Sequence, residues 1–158
     1  MGSKPQPTEV SVSRTIAASP EEVWALISNV TRIGEWSPET TSCSWLGGAT
    51  GPAVGARFAG TNINGKKRWK TTSTVVESEP GKSFVFEVKA GPLKVARWSY
   101  RITPNGDACN VTETWTDQRG WLVTTLGKPI SGVTDRSEHN RQGMEVTLAN
   151  LAHSAETT

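Results

Sequence analysis

The stretch from Lys66 to Asp117, KKRWKTTSTVVESEPGKSFVFEVKAGPLKVARWSYRITPNGDACNVTETWTD, decides the fold. It reads as four long antiparallel strands joined by three short turns. The pair before it, Asn64-Gly65, is a two-residue hairpin signal, because a type I′ turn needs positive φ at both central positions. Pairing outward from it sets Gly60 opposite Trp69 and Phe58 opposite Thr71. Pro80-Gly81 suits a type II turn, with Pro at the second position and Gly at the third. It sets Glu77 opposite Phe84, Val75 opposite Phe86 and Ser73 opposite Val88. Asn105-Gly106 repeats the I′ signal and sets Tyr100 opposite Val111, Trp98 opposite Glu113 and Ala96 opposite Trp115. Around Gly91-Pro92 a three-residue loop sets Phe86 opposite Trp98. A one-residue slip there would turn the apolar set to solvent, which selects the three-residue loop.

Alternation then divides the residues between two faces. One face carries Phe58, Trp69, Thr71, Ser73, Val75, Phe84, Phe86, Val88, Trp98, Tyr100, Ile102, Val111, Glu113 and Trp115. The other carries Arg57, Arg68, Lys70, Thr72, Thr74, Glu87, Arg97, Arg101, Thr112 and Thr114. The apolar face also holds Thr71, Ser73, Tyr100 and Glu113. A dry core rarely keeps an unpaired carboxylate, so this face reads as the lining of a cavity.

The flanking segments complete one domain, as expected for 158 residues. Residues 1–8 read as a disordered lead, 9–155 as the domain and 156–158 as a disordered tail. Glu9 to Ala17 alternates as a strand, with Val10, Val12, Arg14 and Ile16 on one face. Arg14 is either an edge residue or a partner for Glu113. Ser19-Pro20-Glu21-Glu22 starts a helix: Ser19 as cap, Pro20 at the first position, Glu22 completing a capping box. A second short helix, Thr31 to Trp36, ends before Pro38. Glu39 to Leu46 is a strand, and Gly47 to Gly55 a loop. Arg119 to Pro129 is either a mobile segment at a cavity mouth or a short packed helix. The last element is a helix from Ser131, its expected cap, to Ala155. Its inner stripe runs Val133, Ser137, Asn140 or Arg141, Met144, Leu148, Leu151, Ala155. Only the C-terminal half of that stripe is apolar. A helix packed on a dry sheet is apolar throughout, so the polar half faces water or a ligand. Gly143 suggests a close backbone approach.

Composition excludes several classes. Net charge is +2, and Lys66-Lys67-Arg68 reads as a solvated hairpin tip, so no nucleic acid partner is expected. No apolar run approaches a membrane span, and the first residues lack the apolar core of a signal peptide. A cytoplasmic location and a monomer or weak dimer are expected. Two His and two Cys without metal-ligand spacing argue against a metal site. No Gly-x-Ser-x-Gly, Gly-x-Gly-x-x-Gly or Walker pattern occurs, so no cofactor is expected.

The order of strand, two short helices, six strands and a long helix resembles the START-like, or SRPBCC, superfamily. The resemblance is carried by Ile16-Ala17-Ala18-Ser19-Pro20-Glu21-Glu22-Val23-Trp24, Trp36-Ser37-Pro38, Trp98-Ser99-Tyr100, Val111-Thr112-Glu113-Thr114-Trp115 and the terminal helix. It covers Glu9 to Ala155 and is similar above all to small bacterial polyketide cyclase/dehydrase proteins. It implies an α+β helix-grip fold, in which a curved seven-stranded antiparallel sheet wraps around the C-terminal helix over an apolar cavity. It also implies that the first strand neighbours the last, within reach of Glu113 for Arg14.

Three functions follow. The first is a carrier or sensor of a hydrophobic small molecule such as a lipid or polyketide. The second is a polyketide cyclase, aromatase or dehydratase using the same cavity. The third is an interaction domain with a filled core. Candidate ligand-binding residues are Trp36, Phe58, Trp69, Thr71, Ser73, Phe86 and Trp98. Tyr100, Glu113, Trp115, Trp121, Asn140, Arg141 and Met144 join them. Glu113, Tyr100 and Arg141 are the catalytic candidates if there is catalysis. Structural readings compete at each: an ion pair for Glu113, a satisfied core hydroxyl for Tyr100, a solvated surface position for Arg141.

Cys43 and Cys109 fall on different strands, with the first strand expected between them, so both should be reduced. A thiol titration of denatured, unreduced protein is expected to count two thiols; fewer would overturn this.

Overall fold

The computed structural model describes residues 8–157, apart from the side chains of residues 121, 122 and 126–128. Strand β1 (Glu9–Ile16) leads into helix α1 (Pro20–Ser28) and a 3-10 helix (Val30–Glu35). Six strands follow: β2 (Thr40–Trp45), β3 (Arg57–Asn64), β4 (Lys67–Glu79), β5 (Ser83–Ala90), β6 (Leu93–Asn105) and β7 (Ala108–Asp117). Helices α2 (Trp121–Ser131) and α3 (Arg136–Glu156) close the chain. The strands form one antiparallel sheet in the order β1-β7-β6-β5-β4-β3-β2. This is the expected α+β helix-grip architecture. The expected lead, residues 1–8, lies outside the described residues except Thr8, whose carbonyl accepts from Asp117 N at 2.7 Å.

The hairpins set the register, and six of the expected residue pairings shift, in three of the four hairpins. Asn64 pairs with Lys67, so the β3–β4 turn is Gly65-Lys66 rather than Asn64-Gly65. Asn105 likewise pairs with Ala108, and the β6–β7 turn is Gly106-Asp107. In each turn only the glycine has positive φ, +60° at Gly65 and +61° at Gly106. That is the demand of a II′ turn, which places Gly first and leaves Asn in the strand. Gly60 therefore faces Thr71, Phe58 faces Ser73, and Asn62 faces Trp69. Tyr100 faces Glu113, and Trp98 faces Trp115. Both slips are two residues, so every side chain keeps its face.

The other two turns use bulges. Lys82 N donates to Glu79 O at 2.9 Å around Pro80-Gly81, the expected type II geometry. Lys82 adds a third residue, so Glu77 faces Val85 and not Phe84; an irregularity at Val76 restores Val75 opposite Phe86. Between β5 and β6 the turn has two residues, Gly91-Pro92, not three. A slip at Val95 then returns Phe86 to Trp98, as expected.

The helices pack as their stripes dictate. Ser19 Oγ accepts from Glu22 N at 3.1 Å and caps α1. Val23 and Ile27 are buried, and Trp24 Nε1 donates to Ser83 O at 2.8 Å, tying α1 to β5. The 3-10 helix sits hard on β2: any side-chain carbon at Gly34 would collide with Thr41 O. The C-terminal half of α3 buries Leu148, Leu151, Ala152 and Ala155 chiefly against β1 and α1. The helix runs past the expected edge to Glu156, which accepts from Ala17 N at 2.8 Å. Its cap is Asp135, not Ser131; Ser131 ends α2.

Two further expectations are corrected. Arg14 is exposed and its strand partner is Val111; Glu113 faces Val12 across the ladder, so no Arg14–Glu113 ion pair exists among the described residues. β1 lies at the sheet edge beside β7, so four strands, β6 to β3, separate Cys109 from Cys43 rather than β1. Both cysteines are free.

Asp135 Oδ1 accepts from Glu138 N at 3.1 Å and from Ser137 Oγ at 2.9 Å. Asp135→Ala is expected to lower unfolding stability by about 1 kcal/mol in a urea titration.

Candidate functional site

A cavity of about 610 Å³ lies between the concave face of the sheet and the N-terminal half of α3. Alternation on β3–β7 points Phe58, Trp69, Phe86, Trp98 and Trp115 into it, together with Thr71, Ser73 and Val88. The opposite wall is α3, through Asn140, Gly143, Met144 and Thr147. The composition of that wall is why the space stays open. Asn140 and Thr147 are buried, yet they are too short and too polar to fill the gap over the rings. The cavity reaches the surface beside Leu93, Ile130 and Val146, all exposed apolar side chains of its lining. Helix α2 contributes Val123, Ile130 and Ser131, so the ambiguous segment is a helix that forms part of the rim.

The deep end is acidic. Glu113 is 2 % exposed and Tyr100 6 %. Tyr100 Oη donates to Glu113 Oε1 at 2.8 Å, a bond made possible by their direct pairing across β6 and β7. Glu113 Oε2 is buried and has no hydrogen-bond partner among the described residues. Burial pushes the Glu113 carboxyl up to about 8, against a smaller downward pull from the Tyr100 hydroxyl. The Tyr100 phenol is raised well above its usual value, first by burial and then by the Glu113 charge. At neutral pH the pair is therefore a carboxylic acid and a phenol, both neutral.

Two polar groups stand elsewhere on the wall. Asn62 accepts from Thr40 Oγ1 at 2.8 Å and donates to Thr71 Oγ1 at 3.1 Å. Glu39 receives Arg136 Nη1 at 2.9 Å and lies 2.7 Å from His139 Nε2, joining the start of β2 to the start of α3. Burial pushes the Glu39 carboxyl up, but His139 and Arg136 outweigh it and hold it below its usual range. Arg136 also stands over the Trp69 ring at 5.9 Å. Cys43 lines the cavity beside Gly60, and burial pushes its thiol up to about 11. Among the described residues no cluster of three His, Cys, Asp or Glu could hold a metal ion.

Most sequence candidates meet in this cavity: Phe58, Trp69, Thr71, Ser73, Phe86, Trp98, Tyr100, Glu113, Trp115, Asn140 and Met144. Two do not. Trp36 is buried in the core, away from the cavity lining, with its carbonyl accepting from Asn150 Nδ2 at 3.2 Å. Arg141 is exposed on the outer side of α3, 4.0 Å from Glu138, because the helix turns Asn140 inward instead. The side chain of Trp121 lies outside the described residues. Gly143 makes no unusually close approach: a Cβ there would touch Pro38 at an ordinary 3.6 Å. The sequence reading missed Asn62, although the alternation Phe58, Gly60, Asn62 carried the signal. It also missed Glu39, Arg136 and His139. The helical spacing of Arg136, His139 and Asn140 was visible, but nothing local announced a partner about a hundred residues away.

A family model described as polyketide cyclase / dehydrase and lipid transport matches residues 7–156. The chain is 30% identical to a polyketide-cyclase-like protein of Corynebacterium glutamicum solved by NMR, covering 97% of this chain and 94% of that one at a TM-score of 0.66. It shares its fold with the di-domain ARO/CYC of the steffimycin biosynthetic pathway, at 14% identity and a TM-score of 0.72. It shares it also with a putative protein of the dynemicin biosynthetic locus, at 16% identity and a TM-score of 0.65. It covers 95% and 96% of its own length in these two matches but about half of each neighbour, 51% and 48%. No curated protein matches its sequence.

The Glu113 carboxyl has a pH signature. Unfolded, it titrates near 4.5; folded, near 8. Between those values the unfolded state has released a proton that the folded state keeps. Stability from this group therefore falls as pH rises from about 4.5 to about 8, by a few kcal/mol at most. Glu113→Gln removes that slope. Its melting temperature relative to wild type is expected to be higher at pH 8 than at pH 5; an unchanged difference would contradict the burial argument.

Proposed function

The chain belongs to the polyketide cyclase / dehydrase and lipid transport family, and we propose that it is a carrier or sensor of a hydrophobic small molecule such as a lipid or polyketide. The observation that carries this reading is the open space of about 610 Å³ walled by six aromatic rings. Small-molecule sites are concave, mostly apolar and of this size, with a few convergent polar groups. Burying a flat or elongated apolar body against the rings supplies the affinity. The polar groups of the wall supply orientation. The third function expected from sequence, an interaction domain with a filled interior, lacks its premise, because the space between sheet and helix is open.

The Tyr100–Glu113 pair favours a second reading, a cyclase, aromatase or dehydratase. A neutral buried acid can donate a proton to a carbonyl as an enol forms, and a closed apolar wall can fold a flexible chain. Two structural neighbours come from the steffimycin and dynemicin biosynthetic systems, which supports testing such substrates. In either reading no helix of the described residues is long and apolar enough to cross a membrane. We take the protein to act in the cytoplasm as a monomer or weak dimer.

Native mass spectrometry of freshly purified protein is expected to show a bound small molecule, and apolar ligands should quench Trp fluorescence. Ser73 is buried on the cavity wall. Ser73→Trp is expected to abolish quenching-detected binding while the melting transition stays cooperative. A ligand series giving neither quenching nor thermal shift would sink the carrier reading. Turnover of a model poly-β-ketone would favour the enzyme over the carrier.

A further inference from the structure

We propose that the deep end of the cavity recognises a neutral carbonyl oxygen, with Glu113 donating the hydrogen bond as a carboxylic acid and Tyr100 holding that acid in place. The inference rests on the small-molecule reading of the cavity and narrows its ligand class.

The argument begins with what surrounds Glu113. Its neighbours on β7 are Val111 and Trp115; Val12 on β1 and Tyr100 on β6 lie opposite. None of these can carry a positive charge. The other titratable groups of the lining are engaged or protonated. Glu39, before β2, is held by Arg136 and His139 of α3. Arg119, before α2, is held by Asp117 at 2.8 Å. Cys43 on β2 is a neutral thiol. Arg14, a cation that the sequence offered to Glu113, is exposed, and of the arginines of α3 Arg141 is exposed and Arg136 is held by Glu39. A carboxylate buried with no cation is the costly state, and the group takes up a proton instead.

That proton has one useful place. Tyr100 spends its own hydrogen on Oε1, so Oε1 is already an acceptor in use. Oε2 is the atom left without a partner. A protonated carboxyl with Oε1 engaged presents Oε2–H as a donor, and a buried donor without an acceptor costs free energy. A ligand carbonyl supplies the missing acceptor and adds no hydrogen needing a partner of its own. A ligand carboxylate brings a buried negative charge to an end of the cavity where no cation stands to compensate it. Pairing of a neutral acid with a carbonyl in an apolar pocket is a known way to keep a donor at neutral pH. The cavity therefore selects ketones and related neutral carbonyl compounds over fatty acids of similar size.

Three probes share one apolar body: 2-acetylanthracene, 2-ethylanthracene and anthracene-2-carboxylate. Their affinities are measured by calorimetry at pH 6.5 and pH 9. Wild type is expected to bind the ketone about tenfold more tightly than the ethyl compound at pH 6.5, the scale of one buried hydrogen bond, with the carboxylate weakest. The ketone preference should fade at pH 9 as Glu113 ionises. Glu113→Gln keeps a donor N–H and should hold the preference at both pH values. Tyr100→Phe with Glu113→Leu removes both polar groups together, leaves no orphan, and should bind ketone and ethyl compound alike. A ketone preference that survives in the double variant would overturn the inference. So would wild-type affinity for the ethyl compound equal to that for the ketone, or a preference for the carboxylate. In those cases the apolar cavity reading stands. If none of the three binds, that reading falls and this one with it.

Discussion

Side chains on a strand alternate between two faces, and that parity is the constraint on which this structure depends. Six rings point into one cavity because five strands keep step. The step is set at four turns, each with a glycine at positive φ. Two-residue slips at Gly65 and Gly106 leave the parity intact, and the bulges at Val76 and Val95 offset the one-residue shifts that the three-residue turn before β5 and the two-residue turn before β6 introduce. Moving any one of β3 to β7 by one residue would bring its outer-face side chains inward, the Arg and Lys of β3 to β6 among them, and turn rings to water. The sheet thus tolerates slippage in steps of two and not of one.

The second dependence is between the sheet and α3. A helix with a uniform apolar stripe would close on the rings and leave no space. Here the stripe changes character near Met144. Beyond it, Leu148, Leu151 and Ala155 lock the helix to β1 and α1. Before it, Ser137 and Asn140 stand off the sheet, and Glu39 braces that end through Arg136 and His139. One half of the helix anchors and the other half roofs. Glu113 sits under the roof at a position that burial makes unfavourable for a charge. Such a group is a standing penalty on stability, which is how perturbed acids at ligand sites are usually found.

Parity, and with it the face composition of the sheet, could be read from residues alone. The apolar and polar sets of β4 to β7 stand as alternation placed them. What escaped was turn type. Asn-Gly satisfies both I′ and II′ demands if the Asn is allowed to move into the strand, and local sequence does not say which. That ambiguity hid the Tyr100–Glu113 pairing, since the I′ register sets Tyr100 opposite Val111. On α3 the stripe left Asn140 and Arg141 one residue apart; the tie of Arg136 to Glu39 turns Asn140 inward, and that tie spans the chain. Trp36 looked like a lining residue because Trp does both jobs, and only packing separates them. Arg14 failed as a partner because strand neighbours are not contacts: its ladder partner is Val111, two pairs away from the acid.

Cys43 has a bearing on the chemical reactivity of the cavity wall. Its thiol lines the same wall as the rings, and burial holds it protonated up to about pH 11. The thiolate, the form that attacks electrophiles, is therefore scarce at neutral pH. Many conjugated carbonyl compounds are Michael acceptors and alkylate exposed cysteines. A protonated thiol attacks such compounds slowly, so this sulfur leaves the aromatic wall chemically quiet near neutral pH.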